Sequence, residues 1–123
     1  MKEVILGIDF DGILTEKVIF PEIGKMDIDF INILIEAKQQ GFILILNTGR
    51  DGIPLKMAVD VCKELGLEFD YVNDNVITEL NGFELSHKIY ADYHYDDHSF
   101  NWNKQHAIQH IRELINRRKD GTL

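Results

Sequence analysis

Val4-Ile5-Leu6-Gly7-Ile8 and Phe42-Ile43-Leu44-Ile45-Leu46 are short apolar runs without alternation, the pattern of strands buried on both faces. Between them Ile31, Leu34 and Ile35 recur at helical spacing. A helix is predicted from Asp27, a suitable N-cap, to about Gln40, with Gly41 just past its end. After the second run, Leu55, Ala58, Val59, Cys62 and Leu65 repeat the same period, with Pro54 near the first turn and Gly66 behind. Phe69 to Val72 predicts a weaker third strand and Ile89 to Tyr95 a fourth. From about Asn101, a last helix buries Ala107, Ile108, Ile111, Leu114 and Ile115. Arg117, Arg118 and Lys119 sit at the negative end of its dipole. Glu16 to Met26 reads as a loop punctuated by Pro21 and Gly24, in which Phe20 and Ile23 suit core packing and a substrate-facing role equally. Residues 76–85 fit either a hairpin turning at Asn81-Gly82 or a plain loop.

This alternation of strands and helices predicts an α/β fold, a three-layer α/β/α sandwich around a mostly parallel, Rossmann-like sheet. The 123 residues fit a single domain, 1–123, and 45% of them are hydrophobic, enough for a real core. No cap domain fits between Thr15 and Asp27, or between Thr48 and Lys88. The net charge of −8, with no long basic run, argues against nucleic-acid and anionic-membrane partners. A small anionic substrate is still compatible, because a bound cation reverses the local field. Cys62 is the one cysteine, so there is no intrachain disulfide, and its place on an apolar helix face suggests a small buried hydrophobe. With neither a signal-type segment nor a membrane-length apolar run, a cytoplasmic protein is expected.

The chemistry concentrates where strands end. Asp9-Phe10-Asp11-Gly12-Ile13-Leu14-Thr15 follows the first apolar run directly. In an open α/β sheet, ligands bind in the crevice outside the carboxyl ends of the strands. Two carboxylates one residue apart repel each other there, and a hard cation such as Mg²⁺ relieves the conflict through oxygen ligands. Asn47-Thr48-Gly49-Arg50 ends the second strand and Asp96-Asp97 the fourth, with Lys88 just before the latter. A parallel sheet brings these ends to one edge, and the set points to phosphate chemistry with a metal.

DFDGILT, LNTGR, Lys88 and the terminal DD resemble the four motifs of the haloacid-dehalogenase-like phosphohydrolases, over a stretch from about Met1 into the last helix. FPEIGK at 20–25, GLEFDY at 66–71 and HKIYADYHYDD at 87–97 resemble a small, capless bacterial branch of such hydrolases. ADYHYDD is also similar to the end of the deoxyribonucleotidase motif. The resemblance implies that Asp9 is the nucleophile, forming an aspartyl-phosphate. Asp11 would protonate the leaving oxygen and then activate water, while its backbone carbonyl binds the metal. Thr48 would hydrogen-bond a phosphoryl oxygen, and Lys88 would balance Asp9 and stabilise the transferring group. Asp9, Asp11, Asp96 and Asp97 would form the Mg²⁺ site, one of the last two directly and the other through water. The amides of Phe10 and Gly12, with Gly49 and Arg50, are candidates for binding substrate. Arg50 contacts phosphate or instead pairs with Asp51 or Glu22 on the surface. Ile13 stands where the family often has Thr, though an aliphatic residue occurs there too.

The expected activity is therefore a Mg²⁺-dependent phosphatase on a small phosphorylated substrate. A nucleotidase acting on nucleoside monophosphates competes with it, and so does a receiver-type module that stores an aspartyl-phosphate. Asp11 separates the last from the others, since a storing switch needs no acid and base two residues after its nucleophile. A zinc reading is disfavoured: His106 and His110 share a helix face but lack the adjacent Glu of HExxH, and His94 is expected to be packed or hydrogen-bonded within the sheet. Without a cap, either a bulky substrate or a second copy of the chain must cover the site, and the reading leans towards a homo-oligomer. The loop from Val18 to Lys25 and the segment from Asp74 to His87 are expected to border the entrance.

Overall fold

The computed structural model describes residues 3–74, 90–97 and 102–123. Along the chain run β1 (Ile5–Ile8), α1 (Ile28–Gln39), β2 (Ile43–Leu46), α2 (Gly52–Glu64), β3 (Tyr71–Val72), β4 (Tyr93–Tyr95) and α3 (Lys104–Asp120). The segment expected as a hairpin or loop at 76–85, Lys88 and Asn101 all lie outside the described residues.

The four strands form one all-parallel sheet in the order β3-β2-β1-β4. With its three helices, it is consistent with the capless three-layer α/β/α sandwich expected from the sequence. β1 is central. The chain steps outward through β2 and β3, then returns to the other side of β1 as β4. That reversal makes a topological switch point between β1 and β4, where α/β proteins bind ligands. Register keeps the strand ends level, since Ile8 pairs with both Leu46 and Tyr95. Asp9 N donates to the Tyr95 carbonyl at 3.0 Å and Asn47 N to that of Ile8 at 2.8 Å. Whatever follows Ile8, Leu46 and Tyr95 therefore emerges on one rim.

Leu6 and Ile8 join Leu44 and Leu46 in the main core, while Gly7 and Ile45 alternate to the other face. At Gly7 the His94 ring lies close over the strand: a Cβ there would stand 2.9 Å from His94 Nδ1, so any other residue would displace that ring. His94 is exposed, with its ring lying against the sheet over Gly7. Among the described residues, β3 is shorter than the Phe69–Val72 expected and β4 covers only Tyr93–Tyr95 of the segment expected from Ile89. Among the described residues each pairs with a single neighbour, so fewer ladder bonds hold its ends.

α1 and α3 pack side by side. They bury Phe30, Ile31, Leu34 and Ala37 from one and Ala107, Ile111, Leu114 and Ile115 from the other. Complete burial of a side chain such as Phe30 contributes ~1.5–3 kcal/mol, and its ring meets Tyr95 edge-on at 6.2 Å. Arg112 bridges to Glu36 at 2.5 Å. α2 contributes Ala58 and Cys62 to the core, and burial pushes the Cys62 thiol up to about 12. Asp27 caps α1 as expected, accepting from Phe30 N at 3.0 Å. α3 starts at Asn103, whose side chain accepts from His106 N at 3.1 Å, and Gly121 ends it at φ 81°. His110 is a packing residue, with Nδ1 2.8 Å from the Tyr95 hydroxyl and its ring edge-on to Tyr93. No helix among the described residues is long and apolar enough to cross a membrane.

Candidate active site

Three strand ends build the site. Asp9 leaves β1, and Asp96 and Asp97 leave the adjacent β4. Each of the three offers a carboxylate oxygen, and these oxygens lie within 4.8 Å of one another. All three side chains are half-buried. Burial raises the Asp9 carboxyl from 3.8 to about 6, and the negative charges of Asp96, Asp97 and Asp11 push the same way. The Phe10 amide opposes them by donating to Asp9 Oδ1 at 2.7 Å. A close set of hard anionic oxygens suits an ion such as Mg²⁺, which takes oxygen ligands and would offset the repulsion. Gly12 makes the cluster possible. Its φ is +86°, and a Cβ there would lie 2.2 Å from Asp97 Oδ2.

Asp11 does not join this trio; it turns to Arg50. Arg50 Nε donates to Asp11 Oδ2 and Nη2 to Oδ1, both at 2.8 Å, a two-pronged pair. Arg50 is only 2% exposed. Its remaining donors reach main-chain carbonyls: Nη1 to Pro21 at 3.1 Å and Pro54 at 3.4 Å, and Nη2 also to Glu22 at 2.9 Å. Its partners are thus Asp11 and the backbone, neither the Asp51 side chain nor the Glu22 side chain, and it sits beneath the surface. The Phe10 and Phe20 rings lie 5.1 and 5.3 Å from the guanidinium carbon, which favours a desolvated cation.

Thr48 follows β2 on the other side of β1. Its hydroxyl accepts from Arg50 N at 3.2 Å, leaving its own proton to donate. Asn73, beyond the end of β3, holds this loop: its Oδ1 accepts from Thr48 N at 2.8 Å and its Nδ2 donates to the Arg50 carbonyl at 3.2 Å. Its φ of +52° fits Asn, one of the few side chains tolerant of that region. Sequence reasoning passed over Asn73, and its place just past a strand end was the available signal. The amides of Phe10 and Gly12 are engaged within the protein, the first by Asp9 and the second by the Thr15 carbonyl at 3.0 Å. The Phe10 side chain and Ile13 are buried in the core.

Asp9, Asp11, Lys17, Phe20, Thr48, Gly49 and Arg50 line one open pocket of about 260 Å³. A larger cleft of about 430 Å³ shares Gly12 with the site but contains none of its four carboxylates. Lys17, another residue that sequence reasoning missed, places its ammonium 3.7 Å from Asp97 Oδ2. The 16–25 loop is a flap with a closed neck. Thr15 bridges to Met26, Glu16 N donates to the Lys25 carbonyl at 2.9 Å, and the buried Thr15 hydroxyl donates to the same carbonyl at 3.2 Å. Its tip is apolar and open, with Ile19 86% and Phe20 61% exposed. Phe20 thus borders the entrance as expected, whereas Ile23 packs against the core. Lys88 and residues 75–87 lie outside the described residues.

No family model matches the chain, and no curated protein matches it. Among solved structures, the chain is similar to the conserved protein coded by locus from Bacteroides thetaiotaomicron. The two are 30% identical with a TM-score of 0.78, over 92% of this chain and 93% of that one. That identity, held across nearly the full length of both chains along with the parallel sheet, places this chain in the same family as the conserved Bacteroides protein.

Proposed function

We propose that this protein is a Mg²⁺-dependent phosphatase of the haloacid-dehalogenase-like type, working through an aspartyl-phosphate on Asp9. The observation that carries the reading is the convergence of Asp9, Asp96 and Asp97 at the switch point, beside the pocket that Asp11 and Thr48 also line. Asp9, Asp96 and Asp97 would hold Mg²⁺, which supplies charge neutralisation at the phosphoryl oxygens.

The remaining work falls to side chains. An Asp9 oxygen attacks phosphorus while the Phe10 amide orients the carboxylate. As the Asp9–phosphorus bond forms, the ester P–O bond breaks, and Asp11, in its protonated form with one oxygen turned from the Arg50 fork to the substrate, gives that proton to the departing oxygen. Water then attacks the phosphoenzyme, its proton passes to Asp11, and the bond to Asp9 breaks. Thr48 donates to a phosphoryl oxygen. The open Phe20 ring beside the pocket favours a phosphomonoester with a flat organic portion, nucleoside monophosphates among them.

The test is a screen of phosphomonoesters with Mg²⁺ and with a chelator. Mg²⁺-dependent release of phosphate is expected, and Asp9→Asn should abolish it. Activity that survives either chelation or that substitution would overturn the reading.

A further inference from the structure

The 16–25 flap is fixed at its neck by main-chain bonds, and its tip is joined to the site through the buried Arg50. Arg50 grips the tip by the carbonyls of Pro21 and Glu22 and by the Phe20 ring. The same guanidinium holds both oxygens of Asp11. Its backbone amide donates to the Thr48 hydroxyl, and its carbonyl accepts from Asn73. Three strand-end loops and the flap tip therefore meet on one residue: its side chain, 2% exposed, holds Asp11 and the flap tip, and its backbone holds Thr48 and Asn73.

We propose that Arg50 is the positioning residue that couples the flap tip to Asp11, so that contact between the substrate's organic portion and Phe20 sets the orientation of the Asp11 carboxylate. The proposal takes the acid/base role of Asp11 from the phosphatase reading, while the coupling itself rests on geometry alone. A bidentate fork fixes a carboxylate in angle as well as distance, and a planar group stacked on a ring shifts when the ring shifts. Phe20 has its guanidinium contact at 5.3 Å yet keeps most of its surface open at the pocket rim. A substrate pressing on Phe20 therefore moves the group that holds Asp11. Lysine cannot replace this arrangement, because an ammonium is a point charge without the planar fork.

Two variants test the coupling. Arg50→Lys keeps the charge and loses the fork. On glycerol 3-phosphate, whose alkoxide needs a proton to leave, kcat should fall about 100-fold further than on p-nitrophenyl phosphate, whose leaving group needs none. Equal losses on the two substrates would mean a merely structural role and would overturn the proposal. Phe20→Ala alters an exposed side chain and leaves the core untouched, so it carries both readouts if Arg50→Lys fails to fold. It should show the same split in weaker form. In NMR spectra it should speed hydrogen exchange of the Arg50 Nε–H about tenfold, because the bond to Asp11 opens more often. An Arg50 Nε–H that exchanges at the wild-type rate in Phe20→Ala would overturn the coupling. The exchange measurement needs no turnover, so a wild-type protein inactive on every phosphomonoester would defeat the phosphatase reading while the coupling is still decided.

Discussion

Asp9→Asn should make the metal-free protein more stable at alkaline pH and no more stable in acid. In the fold, burial and then the neighbouring carboxylates raise the Asp9 carboxyl from 3.8 to about 6. A group raised in the folded state takes up protons on folding between those values. Its contribution is fully present below 3.8 and is lost as pH rises through 6, so ionised Asp9 is a net cost above that point. A rise of this size corresponds to ~3 kcal/mol at ~1.4 kcal/mol per pH unit. Asp9 is only half-buried, and solvent screening reduces the figure to roughly 1–2 kcal/mol. Asparagine removes the charge but keeps an oxygen for the Phe10 amide. With an unfolding entropy of ~2.1 cal/mol/K per residue, the chain should gain roughly 4–8 °C in Tm. The assay is a thermal melt in chelator at pH 8 and again near pH 4, wild type against variant. A gain at pH 8 that vanishes near pH 4 is expected. A variant less stable than wild type at pH 8, or an equal gain at both, would refute the claim that Asp9 is held in a repulsive, desolvated setting.

Mg²⁺ should raise the wild-type melting temperature relative to chelator, and Asp96→Ala with Asp97→Ala should remove that shift; an undiminished shift would place the ion elsewhere. Asp11→Asn should slow hydrolysis of the phosphoenzyme by ~10²–10⁴, leaving an aspartyl-phosphate on Asp9 detectable by mass spectrometry. Hydrolysis of a poor leaving group at the wild-type rate would remove Asp11 from the acid/base role. Gly12→Ala should cost ~1–2 kcal/mol for its positive φ and should also weaken the Mg²⁺ shift, because the new methyl would collide with Asp97 Oδ2; melts with and without the ion check both effects. Cys62 should resist thiol reagents in the native protein and react on unfolding, since its thiol is buried and pushed up to about 12.

The sequence by itself determined the sheet and the rim where its carboxylates gather. Unbroken apolar runs at 4–8 and 42–46 left little choice but buried parallel strands, and side chains just past such strands must emerge at one edge. Asp9, Asp96 and Asp97 were therefore legible as a group, as was Asp27 as the cap of α1. The ends of β3 and β4 were less legible, because neighbouring strands set a strand's length more than composition does, and among the described residues each of these pairs with a single neighbour. Tertiary structure alone decided what Arg50 touches. Asp11 lies 39 residues away along the chain, and its other acceptors are main-chain carbonyls, which every residue carries and no motif marks. The same holds for Gly7 beneath His94 and for Asn73 holding Thr48. A buried cation needs every donor satisfied, yet which acceptors reach it depends on how the flap, the loop after β1 and the first turn of α2 close in space.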